Sequence, residues 1–80
     1  MLPSEFEALI RNGDIDRVTI FRPNPESAWS IYGYGEALPA DTINHLAINK
    51  TGSKRLWSDL DAAYGFIRKS GFKQAIEVDG

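Results

Sequence analysis

Residues 58–72 read SDLDAAYGFIRKSGF and carry the strongest secondary-structure signal in the chain. Four apolar side chains recur at helical spacing and form one stripe: Leu60, Ala63, Tyr64 and Ile67. Ser58 and Asp61 have the spacing of an N-cap and the third helical residue, and Gly71 suits the left-handed position just past a helix end. The stretch therefore predicts a helix over residues 59–70.

A second, shorter helix is predicted near the N-terminus. Ser4 and Glu7 have capping-box spacing, and Asn12-Gly13 supplies a stop. Between them, three apolar side chains fall on one face: Phe6, Leu9 and Ile10. We expect a helix over residues 5–11.

Alternating residues predict strands between the two helices and after the second. Residues 17–22 alternate as a strand should, and Pro23-Asn24-Pro25 ends it because proline cannot donate to a ladder. Residues 28–34 form a second strand, which pairs with the first as a hairpin. Residues 54–57 and 74–78 are predicted as further strands.

The residues from 42 to 49 leave two alternatives open. His45 to Asn49 fits a third strand, or the end of a helical turn that begins near Asp41. With that strand included, the element order is α-β-β-β-β-α-β. The fold class that follows is a single α+β domain over residues 1–80, with a mostly antiparallel sheet of four or five strands and both helices on one face.

Composition and charge limit the classes of function. Hydrophobic residues make up 42% and charged residues 25%, which excludes a disordered tail, and the absence of cysteine excludes a thiol nucleophile. A net charge of −2 lacks the basic excess of a non-specific nucleic-acid binder. Residues 1–5 lack the basic and apolar regions of a secretion signal, so we predict a cytoplasmic protein and no membrane partner.

No residue pattern points to catalysis. His45 is the only histidine, and no neighbouring pattern supplies it with a nucleophile and an orienting carboxylate. The pairs Asp14/Asp16 and Asp59/Asp61 fit a turn and a helix start, and two carboxylates are too few ligands for a hard cation. Gly33-Tyr34-Gly35 lacks the third glycine of a phosphate loop. We therefore predict no enzyme activity, no metal site and no cofactor.

The aromatic residues suggest an interaction surface. The side chains predicted to face the helices are Val18, Ile20, Trp29, Ile31, Leu56, Ile76 and Val78. The opposite face would then carry four aromatic residues and two arginines: Phe21, Tyr32, Tyr34, Trp57, Arg17 and Arg55.

Three interpretations of this face compete. In the first interpretation, the loop 35–44 folds across this face and makes the aromatic residues part of the core. Alternatively, the face is a protein interface, for which Tyr, Trp and Arg are typical. A third interpretation is a platform on which nucleic-acid bases stack, with Lys54 as an additional cation.

A small patch on the 59–70 helix is a second candidate surface. Gly65 lies away from the apolar stripe, near Ala62 and Lys69, and glycine costs about 1 kcal/mol relative to alanine inside a helix. The small side chains would allow another backbone to approach closely. We expect the N-terminal helix of the same chain to occupy this patch, with a partner chain as the alternative.

Two stretches resemble a known group of proteins. Val18-Thr19-Ile20-Phe21-Arg22-Pro23-Asn24-Pro25-Glu26 with Trp29, and residues 57–72, are similar to small orphan proteins of plasmids and other mobile elements. These are labelled replication or partition accessory proteins. The resemblance covers most of residues 16–80 and implies a bacterial accessory protein that acts by binding. It carries no catalytic residue over to this chain.

Taken together, the sequence predicts a small, non-enzymatic interaction module. It would contact a protein partner, or a second copy of itself, through the aromatic face or the Ala62/Gly65/Lys69 patch. The alternative is an accessory domain that binds nucleic acid through the aromatic face with Arg17, Lys54 and Arg55.

Overall fold

Two helices and three strands make up the regular structure of residues 1–80, all of which the computed structural model describes. In chain order they are α1 (Pro3–Arg11), β1 (Arg17–Phe21), β2 (Ser30–Tyr34), α2 (Leu60–Lys69) and β3 (Ile76–Asp79). The predicted α+β class is confirmed. The prediction of a mostly antiparallel sheet with four or five strands is wrong, because the observed sheet has three strands and is mixed.

The sheet has the order β2-β1-β3, with β1 in the centre. β1 and β2 form the predicted antiparallel hairpin, in which Thr19 lies opposite Tyr32. β3 is parallel to β1 and places Glu77 opposite Thr19. A parallel pair needs a long crossover connection, and the segment that contains α2 provides it. The last strand therefore joins the sheet beside the first.

The predicted strand at 54–57 does not form, and of the two alternatives for residues 42–49, neither a strand nor a helix forms. These segments make only isolated bridges, which join His45 to Tyr32, Trp57 to Trp29 and Lys54 to Ala47. The Leu46 amide donates to the Ile31 carbonyl oxygen of β2, and the Ala47 amide, on the opposite side of the segment, donates to the Met1 carbonyl oxygen. The chain then turns back, with the Ile48 amide donating to the Ser53 carbonyl oxygen, so the pairing with β2 does not extend into a strand.

Both helices form close to the predicted positions, but each begins with different capping contacts. Pro3 is the first residue of α1, and the Glu5 carboxylate accepts a 3.0 Å hydrogen bond from the Leu2 amide. The predicted Ser4–Glu7 box is wrong, since Glu7 instead forms a 2.6 Å ion pair with Arg11. Proline is favoured at this position because it lacks only an amide that would be unsatisfied anyway.

At the start of α2, Asp59 is the N-cap and Ser58 is not. The Asp59 carboxylate accepts a 3.0 Å hydrogen bond from the Asp61 amide. At the other end, Gly71 has a φ of +101°, the left-handed conformation predicted for it. The capping contacts thus confine α2 to Leu60–Lys69, within the predicted range of 59–70.

The core lies between the helices and one face of the sheet. Phe6 of α1 and Phe66 of α2 stack with ring centroids 6.0 Å apart. Phe6 also packs over Gly33, where an added Cβ would lie 3.1 Å from the Phe6 ring. The largest fully buried side chains are Phe6, Ile20, Ile31, Leu46, Ile67 and Val18.

Three predicted core residues are more exposed than expected. Leu56 and Val78 are 58% and 51% exposed, and Tyr64 of the α2 stripe is 43% exposed. Phe66 contacts the core in place of Tyr64, whose hydroxyl accepts hydrogen bonds from Arg68. Val78 is exposed because it lies on the strand at the edge of the sheet.

Candidate functional site

The face of the sheet that points away from the helices carries the candidate site. Because side chains alternate along strands and the strand registers define which residues lie opposite one another, eight side chains belong to it. We call this surface the outer sheet face; its residues are Arg17, Thr19 and Phe21 of β1, Ser30, Tyr32 and Tyr34 of β2, and Glu77 and Asp79 of β3. It combines aromatic, cationic and anionic groups.

Three aromatic rings form a continuous row across β1 and β2. The rings of Phe21 and Tyr32 meet edge to face, with centroids 6.2 Å apart and planes at 79°. The rings of Tyr32 and Tyr34 are nearly parallel, at 8°, with centroids 6.4 Å apart. All three side chains are half-buried, and none belongs to the buried core. Loop 35–44 therefore does not bury them, so the interpretation of this row as core is wrong.

Two cations lie over the tyrosine rings. The Arg17 guanidinium carbon is 4.7 Å from the centroid of the Tyr34 ring, and the Lys54 ammonium nitrogen is 5.3 Å from that of Tyr32. At such distances a cation is attracted by the π-electrons of the ring. Each tyrosine thus already has a cation over its ring.

Two carboxylates of β3 border the same row. The Thr19 hydroxyl donates a 3.5 Å hydrogen bond to Glu77. Asp79 contributes to an open depression of about 260 Å³, which is also lined by Thr19, Phe21, Tyr32 and Tyr34. Sequence reasoning missed both acids, because only the pairing of β3 with β1 brings them beside the aromatic row. Their alternation with Ile76 and Val78 was the one available signal.

Trp57 and Arg55 do not lie on the outer sheet face, so their predicted placement is wrong. Trp57 is 8% exposed and packs on Phe66 of α2, with ring centroids 5.3 Å apart. The Arg55 guanidinium carbon lies 4.9 Å from the Trp57 ring and 5.1 Å from the Phe66 ring. The antiparallel bridge between Trp29 and Trp57 turns Trp57 toward the helices, and Leu56 consequently faces solvent.

The predicted helix patch is exposed. Ala62, Gly65 and Lys69 all face solvent, and apart from the adjacent residues and the backbone of α2 itself, no atom lies within 4 Å of a Cβ built on Gly65. The expectation that α1 occupies this patch is wrong, because α1 packs through Phe6 on the Phe66 side of α2. The patch has no occupant within the chain.

His45 has a structural position at the border of the outer sheet face. Its ring meets Tyr32 edge to face, with centroids 6.1 Å apart, and its Nε2 lies 2.5 Å from the Gly52 carbonyl oxygen. The Met1 amino group donates to the carbonyl oxygens of Ile43 and His45, at 3.0 and 2.6 Å. These contacts hold residues 43–52 between the N-terminus and β2.

Burial lowers the pKa of the Met1 amino group below its ordinary value of 8.0, and the Glu5 carboxylate partly opposes this effect. The amino group lies at an open cleft of about 490 Å³, which also contains Asp41 and Lys50. The cleft mixes charges of both signs and shares no residue with the outer sheet face.

Gly33 and Gly35 of the G-x-G sequence are required by close packing. A Cβ on Gly35 would lie 1.7 Å from the carbonyl oxygen of Asp14, and one on Gly33 would press on Phe6 and Ile15. These contacts account for both glycines without a bound phosphate.

Comparisons with known proteins add no relative to these observations. No family model, curated protein or solved structure matches the chain. The resemblance of residues 18–29 and 57–72 to plasmid accessory proteins therefore stays a prediction. Neither α1 nor α2 has the length and apolar character needed to cross a membrane.

Proposed function

We propose that this chain is a non-enzymatic protein-binding module whose outer sheet face contacts a protein partner or a second copy of the chain. The observation that carries the proposal is the row of Phe21, Tyr32 and Tyr34, half-buried and bordered by charges of both signs. Aromatic residues and arginine dominate the binding energy of protein interfaces. Charges of both signs around such a row favour a partner whose own charges are arranged in a complementary pattern.

Three features favour a protein over a nucleic acid as the partner. Arg17 and Lys54 already lie over the tyrosine rings, where a base would have to stack. Glu77 and Asp79 bring negative charge to the same face and would repel phosphates. Arg55 contacts Trp57 and Phe66 on the helix side and contributes no charge there.

The resemblance to mobile-element proteins adds a biological setting to the proposal. A role as a cytoplasmic maintenance accessory protein of a bacterial plasmid would require binding and no catalysis. This part of the proposal depends on the resemblance of residues 18–29 and 57–72 alone.

A selection from a random peptide library tests the proposed site. The wild-type chain should enrich peptides whose binding shifts the NMR amide signals of β1 and β2. Tyr34→Ser should weaken the binding of these peptides by about 2 kcal/mol or more, as expected for an interface hot spot. Tyr64→Ser is the matched control, because it makes the same change on an exposed helix position. A dilution series of the same spectrum tests self-association through this face.

The opposing results are equally concrete. The nucleic-acid alternative would be established if oligonucleotides shifted the NMR amide signals of Tyr32, Tyr34 and Arg17 at low salt and their affinity fell steeply as the salt concentration rose. If the selected peptides bind the wild-type chain and Tyr34→Ser with equal affinity, and the chain does not self-associate, the outer sheet face is not the site.

A further inference from the structure

β3 leaves one edge of the sheet open. Its only partner strand is β1. The opposite edge, β2, is covered by residues 44–57. The Gly33 amide there donates to Asn44, and the amides and carbonyls of Trp29 and Trp57 exchange hydrogen bonds of 2.7 and 2.8 Å. The exposed strand edge of this molecule is therefore β3.

The register identifies the backbone groups that this edge presents. The Arg22 amide donates a 3.0 Å hydrogen bond to the Asp79 carbonyl oxygen, so the backbone of Asp79 faces β1. Backbone groups alternate along a strand, and Glu77 therefore also faces β1. The amides and carbonyls of Ile76 and Val78 point away from the sheet.

The side chains along this edge alternate between apolar and acidic. Ile76 and Val78 lie on the helix side, and Val78 is 51% exposed. Glu77 and Asp79 lie on the outer sheet face and are exposed. A strand added here would find hydrogen-bonding groups at the edge, an apolar side chain on one face and two carboxylates on the other.

We propose that β3 binds an extended segment of a protein partner by strand addition. The segment has basic residues at alternate positions, opposite Glu77 and Asp79, and apolar residues between them, beside Val78. The main-chain hydrogen bonds supply affinity and the alternating side chains supply specificity. This inference rests on the proposed protein-binding function and adds the chemistry of the partner. Cations on the added strand would border the depression lined by Phe21 and Asp79.

Charge excludes a second copy of β3 as the favoured occupant. When two copies of Ile76–Asp79 pair antiparallel over most of their length, Glu77 lies opposite Glu77 or Asp79 of the second copy. Like charges directly opposite one another destabilise a strand pair. The same carboxylates that oppose self-pairing attract a basic strand.

The first experiment titrates the ¹⁵N-labelled chain with an end-blocked, eight-residue peptide that alternates lysine and valine. We expect binding that shifts the Ile76 and Val78 amides and slows their hydrogen exchange. Val78→Pro should weaken binding by about tenfold or more, because it removes an outward amide and leaves the bonds to β1. If Val78→Pro does not fold, the peptide variants below provide the test on the wild-type chain.

Charge reversal separates pairing from general attraction between a basic peptide and an acidic protein. Glu77→Lys should lower the affinity of the peptide for the chain by about fivefold. Glu26→Lys is the matched control, because it makes the same charge change in the exposed turn between β1 and β2. Equal loss in both variants would overturn the proposal.

Peptide variants test the backbone contacts directly. Only alternate amides of an added strand donate hydrogen bonds to the edge of the sheet. We therefore compare a peptide methylated at its valine amides with one methylated at its lysine amides. One of the two should lose binding and the other should bind normally. A peptide of the same composition with its lysines grouped at one end should bind at least about fivefold more weakly. Undetectable binding of the alternating peptide, or equal effects of the two methylations, would overturn the proposal.

The Tyr34→Ser variant distinguishes failure of this inference from failure of the proposed function. Library peptides that lose affinity with Tyr34→Ser but bind Val78→Pro normally would support the outer sheet face and overturn strand addition. Alternating peptides that require Val78 and ignore Tyr34 would support strand addition and remove the aromatic row from the site.

Discussion

The Trp57 ring packs on the Phe66 ring of α2, with centroids 5.3 Å apart, on the side of the sheet opposite to Tyr32 and Tyr34. Arg55 covers both Trp57 and Phe66. The connection between β2 and α2 is therefore anchored to the core by this contact. Trp57 stabilises the fold and takes no part in the outer sheet face.

Replacing Trp57 should reduce stability strongly. We expect Trp57→Ala to lower the free energy of unfolding by about 3–5 kcal/mol, the usual range for truncating a buried aromatic residue. Urea denaturation followed by circular dichroism measures the change. Leu56→Ala is the neighbouring control and should change stability by less than about 1 kcal/mol, because Leu56 is exposed. Similar losses for both variants would contradict the burial of Trp57.

Replacing Gly65 should stabilise the chain. Gly65→Ala places a methyl group in open space on α2 and should raise the free energy of unfolding by about 1 kcal/mol, because alanine favours a helix over glycine. Thermal unfolding measures the gain. The reverse change, Ala62→Gly on the same exposed face, should lower stability by a similar amount. A loss of stability in Gly65→Ala would mean that another backbone occupies this patch.

The same substitution at Gly35 should have the opposite effect. An added Cβ would lie 1.7 Å from the Asp14 carbonyl oxygen, so the backbone must move. We expect Gly35→Ala to cost about 1–3 kcal/mol, as overpacked sites do. Gly65→Ala, measured in the same urea titration, is the matched control. An unchanged midpoint for Gly35→Ala would show that the β2 end and residue 14 are not in contact.

The Met1 amino group should make stability depend on pH. Burial lowers its pKa in the folded chain below the ordinary value of 8.0, so the unfolded chain binds more protons between the two values. Stability should therefore rise with pH up to about 8 and be lost as pH falls through the folded pKa. Unfolding midpoints from pH 6 to 9 measure this slope (roughly the range over which an α-amino group titrates). Acetylation of Met1 should remove it; an identical slope in the acetylated chain would assign the effect to another group.

The helices were predictable because their signals are local. The spacing of Leu60, Ala63 and Ile67 and the glycine at 71 lie within one short segment, and α2 forms there. Asp59 rather than Ser58 caps α2. Both residue types cap helices with nearly equal propensity, so the sequence does not distinguish between two adjacent candidates. Local patterns thus define the element and leave its first residue open.

The sheet was less predictable because its pairing is not local. Leu56 and Trp57 alternate like strand residues, but a single bridge to Trp29 decides which of the two faces the core. The parallel pairing of Ile76 with Val18 likewise depends on where the crossover returns the chain. For the same reason Phe21, Tyr32 and Tyr34 could be assigned to one face from the hairpin alone, whereas Glu77 and Asp79 could not.

The position of β1 between a near and a distant partner has a consequence for the order of folding. Phe21 and Ser30 of the hairpin are 9 positions apart, whereas Thr19 and Glu77 are 58 positions apart. Closing the longer loop costs more entropy, so β3 is expected to dock after the hairpin and to detach before it. The Arg22 amide, which donates to Asp79, becomes exposed to exchange whenever β3 detaches. A segment bound along β3 would hold the C-terminal strand in place, and slower exchange at Arg22 would report its arrival.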